Sequence, residues 1–465
     1  MNLFFPQIPP TNLIREISIV YTNLTNLQHG NITLPNFPNL TKLRLYSNGI
    51  RVVNPALVVN NQKIRSLSLQ KNRLTAVPVD VLEKLTNLRY LDLSGNEIAI
   101  IEAFAFQWNV LLKHLYLYNN DIKEIVKYAL VGLENISFLS LQNNLINHFN
   151  FGELQYLPKL KTININWNNI TLLTGINEVF STSVRYFYFQ HNALVSLDDY
   201  ILSVSTSTQF LFLNNNQISH VGLLAHGKIS YTLTALYLGY NKLRNIPVPF
   251  LRKLPNLEQL GLDWNRLNII PQDAFKQNPQ LRVINLAGNQ IHFTHATSLK
   301  GLLNLDHLDL RFNHISSLPS EILDPVNHDF SLLLRGNNFT CDCNIFFLQK
   351  WLEKTRFYID HILCLVPEFG NYTRLISFEF DDTCVEPTPF SPVSSNGTVT
   401  ETSSKLLDNI DLHVYWKISL VVVAIFAIVF SISILQRVLK TNTPTTDIRL
   451  EEVGKNEREG ERGLP

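Results

Sequence analysis

"LRYLDLSGNEI", residues 88–98, decides the fold of this 465-residue chain. Leu91 and Leu93 alternate with Tyr90, Asp92 and Ser94, which is the period of a short strand with one buried face. Asn96 stands three residues after Leu93, and Ile98 closes the stretch. The same pattern, apolar-x-x-apolar-x-apolar-x-x-Asn-x-apolar, returns as "LTKLRLYSNGI", "LKHLYLYNNDI", "VRYFYFQHNAL" and "LDHLDLRFNHI". Its asparagines fall at 48, 72, 96, 120, 144, 168, 192, 216, 241, 265, 289, 313 and 337, so eleven spacings are 24 residues and one is 25. The fourth, sixth and eleventh positions are apolar in all thirteen repeats, which chance does not supply. A degenerate earlier turn, "IREISIVYTNL", has Thr22 in place of the asparagine.

A unit this short cannot bury its apolar face alone, so successive copies must stack. The strands predict a parallel ladder at about 4.8 Å per strand, roughly 60 Å for thirteen. After each strand the chain has to turn inside the stack. An asparagine amide, donor and acceptor at once, can bond the backbone groups stranded there and in the neighbouring repeat. Apolar residues five positions after the asparagine (Val77, Ile101, Ile125, Leu173, Leu197, Ile246, Ile270, Leu318) are expected to fill the other half of the core. Pro78, Pro247, Pro271 and Pro319 follow four of them and favour turn or extended backbone over a long helix.

These residues resemble the leucine-rich repeat family, in its 24-residue class common outside cells, over about residues 14–340. The resemblance implies an α/β repeat solenoid, a horseshoe with the parallel β-ladder on its concave face.

All four cysteines, Cys341, Cys343, Cys364 and Cys384, follow the last repeat. The open end of a stack needs a cap, and clustered cysteines suit a cross-linked one in an oxidising compartment. Zinc is the rival reading, but Cys-x-Cys is tighter than the usual ligand spacing and no histidine completes a set. Four cysteines allow three pairings, and spacing alone does not choose. The segment resembles the carboxy-terminal cysteine cap of extracellular leucine-rich repeat proteins, with Trp351 and Pro367 at matching places. That resemblance implies Cys341 with Cys364 and Cys343 with Cys384; Asn338 departs from the family's usual proline.

One run, Ile418 to Leu435, has eighteen residues and no charge, enough to cross a bilayer as one transmembrane helix. Tyr415, Trp416 and Lys417 suit one interface, Arg437 and Lys440 the other. The expected layout is therefore a truncated segment (1–13), the solenoid (14–340), the cysteine-rich cap (341–384), a Pro/Ser/Thr stalk (385–413), the membrane helix (414–436) and a cytoplasmic tail (437–465). The start is expected to be truncated because "MNLFFPQIPPTNL" has none of the parts of a secretory signal. Asn-x-Ser/Thr sequons at Asn23, Asn31, Asn39, Asn135, Asn169, Asn338, Asn371 and Asn396 all precede the membrane run and permit glycosylation.

The third, fifth, seventh and eighth pattern positions alternate with the buried ones and face away from the core. In the six repeats from Leu112 to Leu243 they hold 24 residues, ten of them aromatic and none Asp, Glu, Lys or Arg. These are Tyr116, Tyr118, Phe138, Trp167, Tyr186, Tyr188, Phe210, Phe212, Tyr237 and Tyr240, and Trp264 extends the field by one repeat. The flanking seven repeats reverse the balance, with Lys42, Arg44, Lys71, Asp92, Asp263, Asp309, Arg311 and Arg335 as a charged rim. Aromatic residues favour strands in any case. A charge-free aromatic centre inside a charged rim is nevertheless the composition of an interface core.

The net charge of +1, with no basic stripe, gives no electrostatic ground for a nucleic-acid partner. No catalytic, cofactor or metal motif is present; His307, Asp309 and Arg311 share a strand face without a nucleophile or pocket, so a solvated rim is expected. The expected function is that of a plasma-membrane receptor, co-receptor or adhesion protein, single-pass with the solenoid outside, binding a protein or glycoprotein ligand through the concave face. A homodimer contact satisfies the same argument. Toll-type receptors share solenoid, cap and membrane segment, but no Toll/interleukin-receptor domain is found here, which favours adhesion, co-reception or decoy binding. The alternative is a tail-anchored scaffold with cytosolic repeats.

Overall fold

The computed structural model describes residues 13–21, 34–174, 183–198, 207–222, 230–322, 331–354, 362–381, 384 and 449–450. Among them, fourteen short strands pair in parallel from Glu16–Val20 to Ser331–Leu333. Register is one repeat per strand, so the fourth pattern positions stack as Leu43, Leu67, Leu91, Leu115, Leu139, Ile163, Phe187 and onward to Leu332. All are buried. The first strand also pairs antiparallel with Arg449–Leu450, through Ile17 and Ser18.

The ladder asparagines close the stack as their amide chemistry requires. Asn168 accepts the Ile146 N–H at 3.0 Å and donates to the carbonyls of Leu141 and Ile165, each at 3.0 Å. Its carbonyl and amino groups thus tie two repeats and its own turn at once. Asn72, Asn96, Asn120 and Asn144 make the same set. Thr22 lies outside the described residues.

Opposite the ladder, Val77, Ile101, Leu197, Ile246, Ile270 and Leu318 are buried, whereas Ile125 and Leu173 are only half-buried. Among the described residues the helical half of an α/β solenoid is small. Among the described residues the repeats contain only two α-helices, Val79–Lys84 and Val248–Leu251. The other described residues of that side form turns, 3-10 helix and pairs of two- or three-residue strands such as Ile100–Ile101 with Glu124–Ile125. The chain is a β-solenoid. The thirteen residues between one pattern and the next must cross the stack and return to the ladder, and extended or turn backbone covers that path with fewer residues than a helix does. Pro78 and Pro247 are themselves the residues at which the two short helices begin.

The stack ends in a cysteine-linked cap whose core is continuous with that of the repeats. Cys341 N–H donates to the Leu365 carbonyl at 2.8 Å and Leu365 N–H to Phe339 at 2.8 Å, which adds one more rung. Helix Phe346–Lys354 lays Phe347, Leu348 and Leu352 on the core, and Gln349 bonds the carbonyls of Leu375 and Phe378, each at 2.8 Å. Disulfides join Cys341 to Cys364 and Cys343 to Cys384, with Cα atoms 5.1 Å apart in each. Among the described residues no helix is long and apolar enough to cross a membrane; the run from 418 to 435 lies outside them.

Candidate ligand-binding face

The ladder face is built by the strand alternation. In "VRYFYFQHNAL", Phe187 and Phe189 are fully buried, against Phe149 and Phe151, while Tyr186 and Tyr188 stand half-exposed on the other side. Parallel register then carries each outward ring onto the next repeat. Tyr188, Phe212 and Tyr237 form a face-to-face row with centroids 4.7 and 5.0 Å apart and planes within 4°. Tyr186 stacks on Phe210 at 5.0 Å, and Phe210 meets Phe212 at 6.3 Å. Burial raises the hydroxyl pKa of Tyr188 and Tyr237, and the Tyr237 hydroxyl donates to the Gln259 side chain.

The aromatic field is not continuous. A second patch lies at Tyr90, His114, Tyr116, Phe138 and Tyr118, with Tyr116 5.1 Å from Tyr90 and 5.2 Å from Phe138. Tyr118 accepts a hydrogen bond from Gln70 at 2.9 Å. Between the patches run Ser140, Thr162, Asn164 and Asn166. Asn164 donates to Gln142 at 2.7 Å and Asn166 accepts the Gln190 N–H at 2.7 Å. One polar repeat separates the patches by two strand spacings, roughly 10 Å. Tyr90 and His114 belong to this second patch, although neither was among the expected site residues.

Trp167, Tyr240 and Trp264 occupy a different place from the strand-face residues. The eighth pattern position is left-handed in every repeat, with φ between 51° and 74° from Ser47 to Gly336. That conformation costs about 1–2 kcal/mol for a residue with a Cβ. It is held by a backbone bond to the next repeat, such as Trp167 N–H to Gln190 O at 3.0 Å and Tyr240 N–H to Asp263 O at 2.8 Å. The kink swings these side chains onto the rim. Trp167 is 56% exposed and lies flat on His191 at 3.6 Å. Tyr240 stacks on Trp264 at 5.7 Å, and Trp264 reaches Phe312 at 6.5 Å. Gly288 must be glycine here, because a Cβ on it would stand 2.5 Å from the Trp264 indole.

The charged rim is not simply solvated. Asp309 is only 3% exposed, and its carboxylate accepts from the backbone N–H, Nε and a terminal nitrogen of Arg311 at 3.0, 2.9 and 2.6 Å. His307 pairs with Ser331 at 3.1 Å, and burial lowers its pKa. Asp92 is likewise buried, accepting from the backbone and hydroxyl of Ser94 at 3.0 and 2.5 Å. The cause is the close approach of neighbouring repeats, which a two-residue alternation does not encode.

Asp263 differs from both. Its carboxylate lies over Gly239, where a Cβ would meet Oδ1 at 2.6 Å, and no cation pairs with it among the described residues. Burial, then the charge of Asp309, raises its pKa to about 6. The folded state therefore holds a proton more tightly than the unfolded chain, where the value is about 3.9. This group lowers stability as pH rises from about 4 to about 6, and its full effect persists above. Asp263→Asn is expected to stabilise the protein by about 1–2 kcal/mol at pH 7.5, after discounting for partial exposure, and by nearly nothing at pH 4. Urea melts at the two pH values check this; an equal gain at both would point to packing instead of charge.

The described sequons avoid the ladder face. Asn39, Asn169, Asn338 and Asn371 are exposed and none occupies an outward position of a ladder strand. Asn135 is half-buried, donating to Val110 O at 2.8 Å and accepting from Lys159 at 2.6 Å. Asn23, Asn31 and Asn396 lie outside the described residues. Among the described residues no group of acidic, histidine or cysteine side chains is arranged to hold a metal.

The pattern of the leucine rich repeat family matches residues 38–98, 62–122, 110–170, 232–291 and 279–339, more than half of the chain. The chain belongs to the leucine-rich repeat family. Among curated leucine-rich relatives, bovine (Bos taurus) fibromodulin is 33% identical over 157 residues, which is 33% of this chain and 40% of fibromodulin. Rat (Rattus norvegicus) lumican is 27% identical over 117 residues, 25% of this chain and 34% of lumican. Mouse (Mus musculus) podocan is 25% identical over 250 residues, 44% of this chain and 41% of podocan. The chain thus spans about two fifths of these relatives or less. Among solved structures, a leucine-rich repeat protein of Leptospira interrogans superposes with a TM-score of 0.56 at 26% identity, covering 71% of this chain and 86% of that one. The glycosylated Toll–Spatzle complex of Drosophila gives 0.59 at 19% identity, covering 74% of this chain and 51% of that one, a likeness of fold.

Proposed function

We propose that this leucine-rich repeat protein is a cell-surface receptor, co-receptor or adhesion protein, anchored by the 418–435 run with its solenoid outside, and that its ladder face binds a protein or glycoprotein. The carrying observation is the row Tyr188, Phe212 and Tyr237 with Tyr186 and Phe210 beside it: five rings on three neighbouring strands with no charged side chain at any outward position of those repeats. Rigid rings lose little side-chain entropy on binding, and such a patch is suited to the desolvated centre of an interface. The rim of Trp167, Tyr240 and Trp264 supplies amphipathic edges around it. Sequons off this face leave it open to a partner.

The pairing of Arg449–Leu450 with the first strand and a membrane span at 418–435 exclude each other, because the span puts the tail across the bilayer. Magnitudes favour the span. Two residues of strand pairing contribute about 2 kcal/mol, whereas insertion of thirteen Val, Ile, Leu and Phe side chains contributes about 5 kcal/mol.

Photo-crosslinking tests the proposal. The full chain is displayed on cells with a benzophenone amino acid at 188 or 212, or at 104 or 128 on the opposite side. Adducts with one protein species from 188 and 212, and none from 104 and 128, are expected; adducts from the opposite side alone would overturn the reading. Enzymatic removal of glycans from the same material should lower its mass, and an unchanged mass would contradict an external solenoid.

A further inference from the structure

A second feature lies on the flank reached just after each ladder asparagine, where the tenth and twelfth pattern positions stand side by side. In repeats five to eight these positions carry no charge. From the ninth repeat to the twelfth they include Lys242, Arg244 and Arg266 and no Asp or Glu. An open surface hollow of about 500 Å³ lies among Arg244, Arg266, Asn268 and Gln290, all four exposed. Its spacing is fixed by the stack, since Arg266 N–H donates to Leu243 O and Gln290 N–H to Leu267 O, each at 2.8 Å. Neither guanidinium has a carboxylate partner among the described residues, whereas Arg44, Arg282 and Arg311 pair with Glu16, Asp306 and Asp309 at 2.6, 3.0 and 2.6 Å.

We propose that this hollow binds a sulfated saccharide, with Arg244 and Arg266 on one sulfate ester and Asn268 and Gln290 on neighbouring ring hydroxyls. Two guanidiniums on adjacent repeats repel each other until an anion lies between them, and their planar forks match an oxyanion better than ammonium groups do. The hollow is wider than a bare ion needs and is lined by exposed polar side chains only. The two amides offer both donors and acceptors, which hydroxyls use and a bare sulfate does not. None of the four lining residues is aromatic, so there is no platform on which a nucleobase would stack. The site is independent of the ladder face.

The test uses the purified full chain and calorimetric titration with a heparin-derived hexasaccharide, its desulfated counterpart, inorganic sulfate and an oligothymidylate of equal charge, at 50 and 200 mM salt. The sulfated hexasaccharide is expected to bind. Arg244→Gln with Arg266→Gln should weaken it at least ten-fold and lower the slope of log affinity against log salt by about two. Asn268→Ala with Gln290→Ala should weaken the hexasaccharide while leaving inorganic sulfate unchanged. If the glutamine variant fails to fold, Arg244→Lys with Arg266→Lys, which keeps the charge and loses the forks, should still weaken binding several-fold. Unchanged binding in the folded arginine variant, equal binding of the desulfated sugar, or oligothymidylate binding as tight as the hexasaccharide's and lost with the arginines would each overturn the proposal.

Discussion

Asn168→Ala is expected to destabilise the solenoid by about 4 kcal/mol. The side chain is fully engaged: Oδ1 takes the Ile146 N–H, and Nδ2 serves Leu141 O and Ile165 O, with a longer contact to Asn166 O at 3.3 Å. Alanine removes all of these together and leaves one N–H and two carbonyls buried between repeats, where water does not reach. A buried backbone group left unpaired costs about 1–3 kcal/mol, so three of them bracket the expected loss. Asn168→Asp should be no better, because it keeps the acceptor, loses the donors and buries a charge. Since each repeat contacts only its neighbours, damage at the middle of the stack should also uncouple its two halves. Urea unfolding should therefore show a lower midpoint and a shallower or two-step transition. A loss below about 1 kcal/mol with an unchanged slope would mean that the asparagine ladder is not what closes the turns.

The parts of this structure that are local and repeated were legible in the sequence. Alternation put Phe187 and Phe189 inside and Tyr186 and Tyr188 outside, and the amide of Asn168 bonds its own turn and its neighbours as its chemistry predicts. Depth was not legible. A period of two says which way Asp309 points but not that Arg311 and the adjoining repeats bury it, and the same holds for Asp92. Nor was the left-handed eighth position, because Lys71, Trp167, His191 and Phe312 adopt it without any glycine-like signal. The glycines at 95, 288 and 336 and the asparagines at 119, 143 and 215 in that same column were the available hint. The polar break at Thr162 and Asn164 was present in the sequence too, but it emerges only when outward residues are followed strand by strand instead of pooled.

The second large effect concerns binding. Tyr188→Ser with Phe212→Ser and Tyr237→Ser removes the row of rings whose centroids lie 4.7 and 5.0 Å apart. Each is only partly buried, and the core residues behind them, Phe187, Leu211 and Leu236, are untouched. Stability should fall by only about 1–3 kcal/mol, the sum of three cross-strand pair contributions. Interface centres behave differently, since truncating one central aromatic commonly costs 2 kcal/mol or more in binding. Three together should weaken a partner at least a thousand-fold. Phe104→Ser with Tyr128→Ser, a stacked pair on the opposite side at 5.7 Å, is the matched control. The deciding measurement is the equilibrium affinity of each variant, displayed at equal surface level, for the protein captured by crosslinking at position 188. Binding lost in the ladder-face variant and kept in the control is the predicted result; binding kept in the ladder-face variant, or lost equally in both, would contradict it.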